Sequence, residues 1–330
     1  MASIADPCGE RRIALTKLLM ILTSHRLDCL KISLGLLEKS NAFAAFDRVV
    51  FLENGLEAAH RAFIDRFIDA HPGIAWDHVT GPRGRSERIS GLENDCVRKY
   101  PGCVYVKMDE DVFVPSGWAE RMLAAYERHR SDPDLALITP LIPNNPYGLY
   151  KLLTKYYPAH LAEHRSRFGC DPAPEIHGLT WQSPAVAEWA TRLFIDLEDC
   201  NAHHRELITA AQKETDDVFS DPFSVGCVCF DYRHWEKMGG IPPKDEPEWC
   251  AWIQQHAQHN ILDGSQIALH YSFFVQQDWL DRTTLLEDIR RTNLPETCPP
   301  GFGLWRHLPR LARTARQIPT VIRRRLGRES

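Results

Sequence analysis

The chain has no surplus of positive charge: 39 Lys and Arg stand against 44 Asp and Glu, a formal net charge of −5 over 330 residues. Nucleic-acid binding draws on a broad basic field, so nucleic acid is not expected as a partner. Zinc-site spacing is also lacking. The ten cysteines are scattered, and the close pair Cys227 and Cys229 in GCVCF has no second pair to complete a metal site. They read as reduced core residues of a cytosolic protein rather than as a disulfide framework. IALTKLLMIL behind Arg11 and Arg12 mimics a signal peptide, but Lys17 interrupts it and no small-residue cleavage site follows. The run is too short to span a bilayer and is read as a first strand. No internal repeat or low-complexity tract breaks the sequence.

With 44% hydrophobic and 25% charged residues, the chain can build one large core or two modest ones. Residues 13–140 repeat a unit of strand, loop and helix three times. KLLMIL leads through TSHR to LDCLKISLGLLEKS, whose Leu27, Leu30, Leu34 and Leu37 fall at helical spacing. RVVFL leads through ENG to a second amphipathic helix carrying Leu56, Ala59, Phe63 and Phe67. IAWDHV, the loop TGPRGRSER and a short helix then lead to CVYVKM. This pattern predicts an α/β fold with a mostly parallel central sheet and helices on both faces. Ligands of such sheets bind beyond the carboxyl ends of the strands. The loops TSHR, ENG, GPRGR and DED should therefore converge on one crevice.

Residues 141–295 are less regular. PLIPNNPYGLY is turn-rich, and LTWQSPAVAEWATRLFIDL reads as a helix capped by Ser183 with Pro184 in its first turn. SVGCVCFDY reads as a strand, PEWCAWIQQHAQH as a helix and QIALHYSF as a last strand. No flexible linker separates this half from the first, so both are expected in one sheet. The tail, 296–330, carries eight arginines from Trp305 onward, no acid before Glu329, and an apolar stripe from Leu304 to Leu326. Residues 305–328 suit an anionic membrane surface, which would hold the protein on the inner face of a membrane. A solvated tail is the alternative.

The strand CVYVKM runs straight into Asp109, Glu110 and Asp111. Acid-x-acid triplets arise by chance, and Asp132 and Asp134 form another in a loop where a solvated turn explains them. Asp109 and Asp111 differ in context: two residues apart in an extended chain, they face the same way. Gathering carboxylates at a strand end is costly unless a cation compensates. Oxygen ligands favour Mg2+ or Mn2+, ions commonly shared with a substrate's phosphates.

The order of these motifs resembles a GT-A glycosyltransferase, and within it the family 2 type. The carriers are a T/S-x-x-R loop after the first strand, an acid with Asn-Gly after the second (Glu53, Asn54, Gly55), a Gly-Arg loop, and Asp-x-Asp. KMGGIPPKDEPEW resembles the family's Gly-Gly segment and Glu-Asp acceptor motif, and a last strand follows that ends in a metal-binding histidine. The resemblance covers roughly residues 15–275.

It implies transfer of a sugar from a nucleoside-diphosphate sugar, with UDP the expected nucleotide, to a hydroxyl of a glycan or lipid-linked acceptor with inversion. Residues 13–140 would bind the donor and 141–295 the acceptor. Asp109 and Asp111 would hold Mn2+ or Mg2+ on the diphosphate, with Asp109 shared with the ribose and His270 completing the site. In QIALHYSF the alternation leaves His270 on the face opposite Ile267, Leu269 and Tyr271. Thr23, Ser24, Arg26 and Glu53 would contact the nucleoside, and Arg83 and Arg85 the diphosphate or base. The Glu-Asp pair falls on Asp245 and Glu246, so the base would be Glu246 where the family has aspartate; Asp245 and Glu248 remain alternatives. Trp181, Trp189, Tyr156 and Tyr157 are candidates to stack on an acceptor. Two other readings stay open: a metal-dependent nucleotidyltransferase, though TSHR has neither the Gly-rich loop nor the lysine that class needs, and a non-catalytic carbohydrate-binding protein of the same fold.

Overall fold

The computed structural model describes residues 15–175, 178–220 and 223–295. The arginine-rich segment 305–328 and residues 13 and 14 lie outside them. Ten strands are formed among the described residues: β1 (Lys17–Thr23), β2 (Arg48–Asn54), β3 (Trp76–Gly81), β4 (Val104–Asp109), β5 (Val112–Phe113), β6 (Leu135–Leu141), β7 (Asp216–Phe219), β8 (Cys227–Asp231), β9 (His259–Ile267) and β10 (Leu269–His270). Eight of them make one sheet in the order β3-β2-β1-β4-β8-β6-β9-β7. Strands β3, β2, β1 and β4 are mutually parallel. Strand β8 runs antiparallel between β4 and β6, β9 is parallel to β6, and β7 closes the far edge antiparallel. The expected α/β architecture is thus present, and segments from both sides of residue 140 interleave in one sheet.

Alternation along β1 explains why the sheet is covered twice. Leu19 and Ile21 face Leu30, Leu34 and Leu37 of the helix Leu27–Lys39 and Trp118 and Met122 of the helix Trp118–His129. Leu18, Met20 and Leu22 face the other core, with Leu92 and Cys96 of the helix Ser86–Lys99 and Trp249 and Ile253 of the helix Glu246–Gln255. A strand buried on both faces has no room for polar alternation, hence its continuous apolar run. The eight cysteines among the described residues are all free, and six are buried, as expected of core residues. No helix among the described residues is long and apolar enough to cross a membrane.

Two elements differ from the sequence reading. LTWQSPAVAEWATRLFIDL is not one helix: Leu179–Gln182 forms a short turn of its own, and a second helix, Pro184–Leu193, starts after Ser183. Ser183 precedes a proline and is extended, φ −97° and ψ 110°, because the proline ring disfavours the helical conformation there. Its side chain caps the second helix as expected, accepting the Val186 N–H. QIALHYSF is likewise two pieces. Strand β9 starts as early as His259 and ends at Ile267, Ala268 N–H donates to the Leu141 carbonyl, and Leu269–His270 leave the sheet to pair with β5.

Candidate active site

The carboxyl ends of β1, β2, β3 and β4 meet as one cluster of loops, held by hydrogen bonds between them. Asn54 is the link between the second and third: its Nδ2 donates to the Gly84 carbonyl at 2.9 Å and its Oδ1 accepts the Gly84 N–H at 2.8 Å. Gly55 has φ +63°, and a Cβ there would fall 2.3 Å from the Arg83 nitrogen. Only glycine allows both that turn and that approach. The first and fourth loops are joined by Glu110, whose Oε1 accepts the N–H groups of His25 and Arg26, each at 2.9 Å.

The acidic strand end is fixed by three neighbouring segments. Asp109 N–H donates to Gly226, Glu110 N–H to Leu22, and the Asp111 carbonyl accepts from Tyr271 N–H. Pairing of β10 with β5 sets His270 opposite Val112, and its Nε2 lies 3.3 Å from Asp111 Oδ1. One potential ligand atom from each of Asp109, Asp111 and His270 falls within 4.8 Å of the others. Gly226 closes the floor, where a Cβ would sit 3.1 Å from Asp109 Oδ2 and 3.6 Å from the His270 ring. A larger residue would crowd both Asp109 and His270. His270 Nδ1 is buried without a hydrogen-bond partner. Two carboxylates and an imidazole around an open space fit a divalent ion of the Mn2+ or Mg2+ kind.

The electrostatics are those of crowded acids. Burial, with the charge of Asp111 nearby, raises the Asp109 carboxyl, and Lys107 opposes the rise. At Asp111 burial also works against ionisation, but His270 wins and holds the carboxyl below its usual range. His270 is raised in return: burial alone would lower it, and Asp111 outweighs burial. Beneath them lies Lys107, 2% exposed, which the sequence hid inside an apolar strand. Its ammonium bridges to Asp109 Oδ1 at 2.8 Å, donates to the Val225 carbonyl at 2.9 Å and lies 3.5 Å from Glu93 Oε1. Despite burial its pKa is raised, by Asp109 and then Glu93 and Asp245. Glu93, 1% exposed, is pushed up by burial and by Asp245.

Among the candidate bases, Glu246 opens the helix Glu246–Gln255 and accepts the Val225 N–H through Oε2 at 3.4 Å. Burial and then Asp245 push its carboxyl up to about 7, while His270 lowers it, so Glu246 and His270 feel each other's charge. Asp245 has φ +56°, unusual for a residue with a side chain, and its carboxyl is also raised, chiefly by burial. Glu248 is placed differently: it pairs with Lys244, accepting the Lys244 N–H at 3.0 Å and facing its Nζ at 3.2 Å.

The expected nucleoside contacts divide in the same way. Thr23 is fully buried with its hydroxyl donating to the Leu52 carbonyl, and Ser24 Oγ accepts from Asn54 at 3.4 Å. Glu53, also fully buried, pairs with His78 Nδ1 at 2.6 Å and with Arg61. Arg26 is held by Asp28 at 3.1 Å and Asp281 at 3.0 Å and lies over the Tyr271 ring. Arg83 and Arg85 are exposed in their loop. Of the aromatic candidates, Tyr156 and Trp189 are core residues at 1% and 4% exposure, and Tyr157 packs edge-on against Phe194. Trp181 instead meets Phe274, the most exposed large apolar side chain among the described residues.

No protein-family model matches the chain, and no curated protein does. Among solved structures it is similar to a mannosyltransferase from Pyrobaculum calidifontis in complex with GDP-Man and Mn2+, at 15% identity and a TM-score of 0.46. That likeness covers 81% of this chain and 62% of the other. It is also similar to GalNAc-T7 with UDP, GalNAc and Mn2+, at 14% identity and a TM-score of 0.47, over 84% of this chain and 47% of that one. The chain therefore spans less than two thirds of either protein's length.

Proposed function

We propose that the protein is a metal-dependent glycosyltransferase that moves a sugar from a nucleoside-diphosphate donor to an acceptor hydroxyl. The observation that carries this reading is the Asp109–Asp111–His270 cluster at the carboxyl edge of a mostly parallel sheet, with Glu246 in electrostatic contact with it. Asp109, Asp111 and His270 would hold Mn2+ or Mg2+. When bound, the ion supplies positive charge that offsets the negative charge growing on the leaving diphosphate, a contribution of several kcal/mol.

The chain's own groups do the rest. Arg83 and Arg85 stand on the exposed rim of the crevice and offer cations to the phosphates. As the bond from the anomeric carbon to the diphosphate oxygen breaks, the acceptor oxygen bonds to that carbon from the opposite face. The acceptor's proton passes to Glu246, a step worth roughly a hundred- to ten-thousandfold. A carboxyl raised to about 7 is a base matched to neutral pH, and attack from the face opposite the leaving group would invert the anomeric carbon. UDP is the nucleotide proposed for the donor. Trp181 and Phe274 offer an acceptor glycan an aromatic face beside Phe273, whose ring meets His270 edge-on at 4.7 Å.

A panel of nucleotide sugars, each incubated with Mn2+ and with chelator, tests the reading through release of the nucleoside diphosphate. Metal-dependent turnover of at least one donor is expected. Absent or chelator-insensitive release across the whole panel would sink it in favour of a non-catalytic carbohydrate-binding protein.

A further inference from the structure

Glu110 lies between the two aspartates of the metal cluster but points away from it. At 5% exposure it is buried beneath the TSHR loop, with Oε1 on two amide hydrogens and Oε2 3.4 Å from His60 Nε2. A buried carboxylate persists only where hydrogen bonds replace its water. Here the bonds also fix the loop. The amides of His25 and Arg26 are spent on Glu110 and cannot bind a phosphate. The Arg26 guanidinium is drawn to Asp28 and to Asp281 on the far wall, and stacked over Tyr271. This leaves His25 as the loop's exposed side chain. Its ring is within Coulomb reach of Arg83 and Asp111, and its Nε2 is 3.5 Å from the amide nitrogen of Gln277 on the helix Phe274–Leu280.

We propose that His25 contacts the nucleoside diphosphate of the donor, and that Glu110 is the residue that positions it. This rests on the sugar-transfer reading. Glu110 ties metal site and nucleotide loop into one unit, so a change in one displaces the other.

Titration calorimetry with UDP and with GDP in the presence of Mn2+ tests the pair. His25→Ala is expected to weaken nucleotide binding about tenfold, the worth of a lost hydrogen bond to a charged ligand. Glu110→Ala is expected to lose a similar factor, and the double variant no more than either alone, because both act on one contact. Glu110→Gln keeps an oxygen for both amides and should bind as the wild type does. Where Glu110→Ala fails to fold, Glu110→Asp takes its place, since the shorter chain withdraws the oxygen from both amides. Unchanged affinity in His25→Ala, or losses that add in the double variant, overturns the proposal alone. A wild-type protein that binds neither nucleotide overturns the sugar-transfer reading as well.

Discussion

Asp109-Glu110-Asp111 and Asp132-Pro133-Asp134 share one spacing and nothing else. In the second triplet Asp132 Oδ1 accepts the Asp134 N–H at 2.9 Å, and the outer partners are His259 at 3.0 Å and Lys237 at 3.5 Å. It is a solvated turn that closes a helix. In the first triplet the Asp109 and Glu110 amides and the Asp111 carbonyl are taken by other segments, the two aspartates converge with His270, and Glu110 turns under the TSHR loop. The difference is one of constraint: carboxylates that can rotate into solvent relieve their repulsion, and those pinned at a strand end need a cation. Spacing alone predicts neither.

Substitutions can press on that contrast from its strongest point. Asp111→Ala should abolish Mn2+ binding at the cluster and lower turnover by about a thousandfold or more, since several kcal/mol of charge compensation is lost. Metal titration followed by a turnover assay checks it, and full sugar transfer by this variant would refute the metal role. Next comes Glu246→Gln, expected to cut turnover roughly a hundredfold or more while leaving donor affinity in place, because only the proton acceptor is removed. Wild-type activity should rise with pH through about 7, the range to which burial lifts this carboxyl, and the variant should lose that limb.

The pinned acids should also mark the stability profile of the metal-free protein. Burial raises Glu110 from 4.5 to about 7, as it raises Glu246. A carboxyl raised in the folded state holds more protons there than in the unfolded chain, so its contribution is present below the unfolded value and lost as pH rises to about 7. Buried His204 and His234, lowered from 6.5 to about 4, act in the opposite sense, and their effect on the pH dependence fades as pH rises past 6.5. The melting temperature should therefore fall between pH 6.5 and 8. Glu110→Gln should flatten that fall, and a profile that rises instead would count against the burial argument. The smallest effect belongs to the other triplet. Asp132→Ala with Asp134→Ala should leave turnover unchanged and alter stability by no more than about 1 kcal/mol, the worth of exposed ion pairs.

The same contrast explains what was legible in the sequence. The three strand–loop–helix units announced themselves because each strand is buried on both faces and each helix on one. Strand β9 hid its start because His259–Ile267 carries Asp263 and Gln266, both fully buried and satisfied by one another and by Ser265. Strand β7 begins with two acids at a sheet edge, and the helix Leu197–Ala211 is too polar over most of its surface to display a strong stripe. Asp109, Asp111 and His270 could be named from their order along the chain. Lys107, Glu93 and the task of Glu110 could not, because each takes its meaning from a partner far away in sequence: Val225 for Lys107, and the His25 and Arg26 amides for Glu110.

Lys107 also bears on how the molecule comes into being. With an ammonium already seated beneath Asp109, the acidic crevice carries an internal counter-ion from the moment the sheet closes. On the sugar-transfer reading, the newly made chain would not need a metal to finish folding, and loading would be a late, reversible event governed by supply of the ion. Protein treated with chelator should keep its shape and take up Mn2+ when the ion is returned, in which case abundance of the polypeptide and abundance of a metal-loaded form would be set separately.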